Sequence, residues 1–407
     1  MSQDKLHTLL ERLELDLGFI EHAFKQELSE LGVFDTSGNW KILDRAIGGG
    51  QLVKWCEDEF VTNNISPVGR VYGCEKRRLN VEYALETHDL KGTYIHTGDY
   101  MIPPRFDNIS FLPDENRTFK YIEIGNYPYN DGSVNDTVIW HKFIAQAKES
   151  RADAGAVVVQ ASFLSQQNKG MSKAVKKDLI ALGCYKIVVN DYGDFDETKA
   201  KVKTCMPFWS RGYQGLIEFV ERKTGHSVKT VLDKPFDMIF DPVHRTFIDE
   251  MSAATKAKTE RKPKWARLSS ADKKKWCIGS YYRTEGFDKN PLKPFVILDP
   301  TGDQSKDHYV VFGKADTQVQ AEELLKQLNS FWFSDPVQAF MLLTRYQISL
   351  DYTQYAKVPK TTVDHVFTND ELYTLWNISD PVKKLVETLV KDCNHKKVKE
   401  KDNATDN

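Results

Sequence analysis

From residue 4 to 34, "DKLHTLLERLELDLGFIEHAFKQELSELGVF", apolar residues recur at three- and four-residue spacing, which predicts one or two amphipathic helices ended by "DTSGNW". To about residue 215 the pattern changes to short apolar runs, "WKILDRAI", "VYGCE", "TYIHTGD", "YIEIGN", "GAVVVQAS", "YKIVVND" and "TCMPFWS", separated by stretches of helical period. Strands joined by helix-length connections pair in parallel through crossovers, so this region predicts an α/β fold with a doubly wound, mostly parallel sheet covered on both faces. Residues 216 to 245 read as a transition, because "ERKTGHS" and "LDKPFD" put breakers between short apolar pieces. Beyond it, "PFVILDP" and "HYVVFGK" predict strands, while "DTQVQAEELLKQLNSFWF" and "DPVQAFMLLTRYQ" predict helices. Thr368, three residues before Glu371, is a capping-box pattern for a further short helix. The expected division is an N-terminal helical segment (1–34), an α/β domain (35–220), a C-terminal α+β region (240–392) and a disordered tail (393–407) with little to bury.

Composition narrows the class. With 41% hydrophobic and 28% charged residues and no apolar run of membrane-spanning length, the chain reads as a soluble protein of the cytoplasm. Its six cysteines form no C-x-x-C pair, which argues against a zinc site or a disulfide framework, and no metal is expected. Net charge is −2, yet residues 255–276 hold nine Lys or Arg against two acids, a local +7 that leaves about −9 elsewhere (−2 − 7). The basic charge is therefore concentrated in one segment.

The chemistry gathers at strand ends. "ILDRAIGGGQLVKW" places Asp44 at the end of one predicted strand, then Gly48, Gly49 and Gly50, then the start of a helix. Glycines there let the backbone approach a bulky ligand, as in nucleotide-binding turns; the plainer reading is tight strand-to-helix packing. No Gly-Lys-Ser/Thr follows, so the turn is not a P-loop. The next strand ends on Glu75, where a carboxylate can accept from both hydroxyls of a ribose, and a third leads to Asp99, placed to accept from an adenine amine. A fourth runs into Asn126, Tyr127, Pro128 and Tyr129, an amide and an aromatic ring around a stiff turn. Its bland alternative is a strand-terminating turn with a buried tyrosine.

"DRAIGGG", Glu75, Asp99 and "NYPY" together resemble the S-adenosylmethionine-dependent DNA adenine-N6 methyltransferases of restriction-modification type, in the arrangement where the cofactor motif precedes the catalytic one. The resemblance covers about residues 40 to 215 and implies a class I, Rossmann-like methyltransferase domain. It further implies S-adenosylmethionine contacts at Asp44, Ala46, Ile47, Gly48, Gly50, Glu75, Lys76, Asp99 and Tyr100, and catalysis by Asn126, Tyr127, Pro128 and Tyr129. The Asn126 side-chain oxygen and the carbonyl of residue 127 would accept from the two N6 protons of a flipped-out adenine, with Tyr129 stacked on the base. Two departures stand out. Tyr127 replaces the family's first proline, which removes a φ restraint and adds a bulky ring, and no Phe-x-x-Pro-type motif occurs in residues 1–40. A second reading follows from the first departure: a lapsed methyltransferase-like module that only binds DNA or protein, or a methyltransferase for RNA or protein amides.

The region after the catalytic domain loosely resembles the target-recognition regions of these enzymes. Lys264, Trp265, Arg267, Lys273, Lys274 and Lys275 are its candidate contacts to double-stranded DNA, cations interleaved with aromatic rings; a solvated linker is the alternative. No nuclease signature is present, so cleavage would need a separate restriction or specificity subunit.

Overall fold

The computed structural model describes residues 18–99, 105–106, 109–111, 117–127, 138–165, 170–190, 203–233, 239–256, 275–281, 295–300, 309–344, 358 and 361–391. Contacts divide the chain into two units, residues 1–238 and 239–407.

The first unit opens with a helix, α1 (18–30), followed by β1 (Trp40–Asp44), α2 (Gln51–Thr62), β2 (Val71–Glu75), α3 (Arg78–Thr87) and β3 (Thr93–Thr97). A two-residue hairpin, β4 (Arg105–Phe106) and β5 (Ile109–Ser110), precedes β6 (Lys120–Asn126). After it come α4 (Trp140–Glu149), β7 (Ala154–Gln160), the short α5 (Ser162–Ser165), α6 (Gly170–Leu182), β8 (Cys184–Val189), β9 (Thr204–Ser210), β10 (Ile217–Glu221) and β11 (Ser227–Thr230). Nine strands form one sheet in the order β11-β10-β8-β9-β7-β6-β1-β2-β3. Neighbours from β3 to β7 run parallel, whereas β9 is antiparallel to both β7 and β8. The chain starts at β1 in the middle, winds outward to β3, then crosses to β6 on the other side. This is the doubly wound, Rossmann-like α/β sheet that the strand pattern predicts.

Both faces of the sheet are covered. Ile122 and Ile124 of β6 join Ile20, Phe24 and Leu28 of α1 and Leu52, Val53 and Phe60 of α2 in one buried cluster. The alternate residues Tyr121, Glu123 and Gly125 must face the other way, and there Tyr127 meets Phe143 of α4. Helix α1 is no free-standing N-terminal segment. Its buried Glu27 accepts from Lys186 Nζ at 2.6 Å and from the Tyr185 hydroxyl at 2.8 Å, which ties the helix to β8.

The end of the α/β region differs from the sequence expectation. The transition at 216–245 contains an antiparallel hairpin, because "ERKTGHS" is the turn between β10 and the edge strand β11: Glu221 N–H donates to the His226 carbonyl at 2.8 Å. The α/β unit therefore extends past residue 220 to at least Thr230.

The second unit comprises α7 (Pro242–Lys256), a three-stranded antiparallel sheet of β12 (Trp276–Tyr281), β13 (Val296–Leu298) and β14 (Tyr309–Ala315), and helices α8 (Gln318–Trp332) and α9 (Asp335–Thr344), with two more helices at Asn369–Leu375 and 380–391. It has its own core, built around Phe331, Trp332, Phe340 and Trp376. Capping boxes start α8, at Thr317 and Gln320, and the helix after Thr368, where Glu371 reciprocates. The strand β12 was missed because its apolar residues directly follow a run of lysines. No helix among the described residues is long and apolar enough to cross a membrane.

Candidate active site

Parallel pairing brings the strand-end residues to one edge. Asp44 is in register with Gly73 on β2 and Ile124 on β6, so Glu75 and Asn126 each lie two residues beyond it on the flanking strands. The carboxyl ends of β1, β2, β3 and β6 thus deliver Asp44, Glu75, Asp99 and Asn126 along the same sheet edge.

The loop from Asp44 to Gly50 is held by specific bonds. Asp44 Oδ1 accepts from the Ala46 N–H at 2.9 Å, turning the chain, and the Ile47 N–H donates to the Cys74 carbonyl at 3.1 Å. At Gly73 any Cβ would stand 2.6 Å from Ile47 Cγ2, so glycine is what admits the loop against β2. Gly48 has φ +54° and open space where a side chain would be, while Gly50, at φ +93°, packs against Ala84 of α3. The tight-packing explanation holds at Gly50, while a side chain at Gly48 would meet none of the described residues.

Glu75 is buried, and its carboxylate bridges two turns. Oε2 accepts from the Gly48 N–H at 3.0 Å and Oε1 from the Arg77 N–H at 2.8 Å, with the Asn80 side chain as a third donor. Burial raises its pKa, and these bonds hold the rise down. A carboxylate has about four acceptor positions, so among the described residues one remains beyond those three. Asp99 lies two residues past β3 and pairs with Lys76 at 3.5 Å, both partly exposed. Tyr100 lies outside the described residues.

Asp44 is 1% exposed. Burial lifts its carboxyl to about 7; the Ala46 N–H opposes this, and the nearby Glu75 and Glu123 carboxylates reinforce it.

At the end of β6 the sequence reading needs a correction. Tyr127 was expected to be a bulky intruder that loosens the turn. Its ring is instead fully buried, stacked on Phe143 with centroids 4.3 Å apart and planes 18° apart, and its hydroxyl donates to Glu123 Oε1 at 2.6 Å. Gly125 makes this fold-back possible, since a Cβ there would lie 2.6 Å from the Tyr127 ring and 3.2 Å from Asp44 Oδ1. The same Glu123 oxygen accepts from Arg45 Nε at 2.7 Å, and Arg45 Nη2 donates to Ser150 Oγ at 3.0 Å. Burial opposes the charge on Arg45, but the adjacent Glu123 keeps it protonated. Burial and then Glu123 push the Tyr127 phenol well above its ordinary range, so it remains a donor. A buried ion pair therefore joins the glycine loop, through Arg45, to Tyr127 at the end of β6.

Arg45, Glu123 and Phe143 escaped the sequence reading. The signal available was a glutamate inside the apolar run "YIEIGN", two residues from Tyr121 and four from Tyr127 on the same strand face.

Pro128 and Tyr129 lie outside the described residues, as do Lys264, Trp265, Arg267, Lys273 and Lys274. Lys275 is described: it is exposed and pairs with Asp316 at 2.9 Å. Trp276 belongs to β12 and packs against the core of the second unit rather than standing out as a wedge. Among the described residues no cluster of three or more His, Cys, Asp or Glu could hold a metal ion.

No family model and no curated protein sequence matches the chain. Solved structures show similarity. The methyltransferase subunit of a type I restriction-modification system from Streptococcus thermophilus is 12% identical, with 48% of this chain and 46% of that one covered and a TM-score of 0.32. The type IIG restriction endonuclease BpuSI is 11% identical, with 89% and 60% covered and a TM-score of 0.46. A SAM-dependent methyltransferase from Aquifex aeolicus is 15% identical, with 51% and 98% covered and a TM-score of 0.31. The chain spans about half the length of the two restriction-modification proteins. Those values leave the chemistry of this chain to its own residues.

Proposed function

We propose that this protein binds S-adenosylmethionine and transfers its methyl group to N6 of adenine in double-stranded DNA. The observation that carries the reading is the register across β2, β1 and β6, which sets the Gly48 turn, Glu75 and Asn126 on one edge and couples turn to motif through Arg45, Glu123 and Tyr127.

The edge fits the cofactor. Gly48 faces open space, and the carboxylate of Glu75 retains an acceptor position. Glu75 would hold a ribose hydroxyl, Asp99 the adenine amine, and the backbone carbonyls of residues 46–48 the ammonium of the amino-acid end. When bound, the cofactor supplies an electrophilic methyl group on a sulfonium.

The protein's own part is to prepare the nucleophile. An adenine amine is a weak nucleophile because its lone pair is delocalised into the ring. The Asn126 side-chain oxygen and the Tyr127 carbonyl accept hydrogen bonds from its two N–H groups, which favours a pyramidal nitrogen with its lone pair available. Such acceptors work only if fixed. Pro128 stiffens one side, and the buried Tyr127 ring fixes the other in place of the family's first proline. The base reaches the site by flipping out of the duplex, with Tyr129 as its stacking partner. Recognition of the duplex belongs to the second unit and its basic segment around Lys264–Lys275, and cleavage to a separate subunit.

Incubation of the protein with methyl-labelled S-adenosylmethionine and unmethylated DNA, followed by nucleoside analysis, tests this reading. Label in N6-methyl-2′-deoxyadenosine is the expected result. Cofactor and DNA binding with no label in any nucleoside would make the protein a binding module.

A further inference from the structure

A second concave site lies on the opposite edge of the α/β sheet. A cavity of about 500 Å³ is lined by Trp40 at the start of β1, Lys120 at the start of β6, Asp153 just before β7, Arg211 just after the antiparallel β9, and Arg117 and Arg151. These mark the amino ends of the parallel strands. Strand β6 alone separates Lys120 from Asn126 by six residue steps, roughly 20 Å, so the cavity is distinct from the proposed active site.

Its charge is one-sided. Four cations surround one carboxylate, and that carboxylate is spent. Asp153 Oδ2 accepts from Arg117 Nη2 at 2.8 Å and from the Tyr121 N–H at 3.1 Å, while Oδ1 takes Arg211 Nη1 at 3.3 Å. Arg117 is fixed: its side chain is only 8% exposed and also donates to the carbonyls of Phe119 and Arg151. Lys120 and Arg151 are exposed, and among the described residues neither has a carboxylate within ion-pair distance. Lys120 Nζ lies 5.5 Å from the centre of the Trp40 ring, and Arg151 has φ +55°, a left-handed conformation that non-glycine residues seldom adopt. Among the described residues the walls thus hold a net +3, with two cations outside any ion pair.

We infer that this cavity is an anion site for a phosphate monoester, with Lys120 and Arg151 as the charged contacts and Arg117, locked on Asp153, as its floor. A phosphate suits paired cationic donors. The volume falls in the range of small-ligand pockets and exceeds what a bare phosphate fills, so the group is carried on a body about the size of a sugar. A free sugar phosphate and the 5′-phosphate end of a nucleic acid strand share this chemistry. The inference does not rest on the methyltransferase reading.

Calorimetry on the full-length protein with ribose 5-phosphate, with ribose, and with a short oligonucleotide carrying either a 5′-phosphate or a 5′-hydroxyl tests it. The comparison variant combines Lys120→Gln with Arg151→Asn, since asparagine tolerates the left-handed backbone. Saturable binding that requires the phosphate and falls at least about tenfold in the variant is expected, because hydrogen bonds to charged groups are lost. S-adenosylmethionine affinity should be the same in both proteins. Binding of ribose 5-phosphate identifies a free metabolite as the source, and binding of only the phosphorylated oligonucleotide identifies a strand end. No saturable binding of any phosphorylated probe to the wild type, binding of ribose as tight as that of ribose 5-phosphate, or an unchanged affinity for the phosphorylated probes in the variant would each overturn the assignment.

Discussion

The Tyr127 hydroxyl donates to Glu123 Oε1 at 2.6 Å, four residues back along the same strand. This bond turns the residue that departs from the family's motif into an anchor for it. Because Glu123 also receives Arg45 from the glycine loop, the two halves of the site share one buried carboxylate. Breaking such a pair on one side leaves an uncompensated charge, which costs about 3–5 kcal/mol.

Tyr127→Phe keeps the stack on Phe143 and removes only the phenol donor. Glu123 Oε2 has no partner among the described residues, so the carboxylate would then rely on Arg45 alone. A loss of about 1–3 kcal/mol in denaturant unfolding is expected.

Tyr127→Pro restores the family's spelling. The variant loses both the stack and the hydrogen bond and opens a cavity worth about 3–5 kcal/mol. A proline variant as stable as the wild type, measured by urea titration, would contradict the anchoring role.

Asp44 gives a pH signature. Its carboxyl titrates at about 7 in the folded protein against an ordinary 3.8, so between those values the folded state holds a proton that the unfolded chain has released. Stability from this group is therefore greatest below pH 3.8 and falls as pH rises towards 7, by up to about 1.4 kcal/mol per pH unit, and is level above that. Asp44→Asn keeps an oxygen for the Ala46 N–H and removes the titration. Unfolding measured at pH 5 and pH 8 should show a smaller loss in the variant than in the wild type; equal losses would contradict the assignment.

Glu75→Ala removes the proposed ribose acceptor and frees the Gly48 and Arg77 N–H groups. Affinity for S-adenosylmethionine should fall about tenfold or more, read by calorimetry. An unchanged affinity would place the cofactor elsewhere.

The strands of the α/β unit were legible because each is a short apolar run bounded by polar residues, and their order at one edge followed from parallel pairing. Asp44, Glu75, Asp99 and Asn126 could be aligned on that basis alone. The partnership of Arg45 with Glu123 spans 78 residues and leaves no periodic trace, so only the oddity of a charge inside "YIEIGN" hinted at it. The β10–β11 hairpin was hidden for a different reason. Its turn residues Thr224 and Gly225 read as a linker when the strands on either side are only five and four residues long.

The central claim is that Asn126 and the Tyr127 carbonyl hold an adenine amine for methylation. It is tested most directly by the rate of N6-methyladenine formation in unmethylated DNA with wild type and Asn126→Ala, at saturating S-adenosylmethionine. Removing one of two fixed acceptors should slow the reaction on the order of 10²-fold or more, with cofactor affinity preserved. Equal rates in the two proteins, or no N6-methyladenine from the wild type on any adenine-containing DNA, would contradict it.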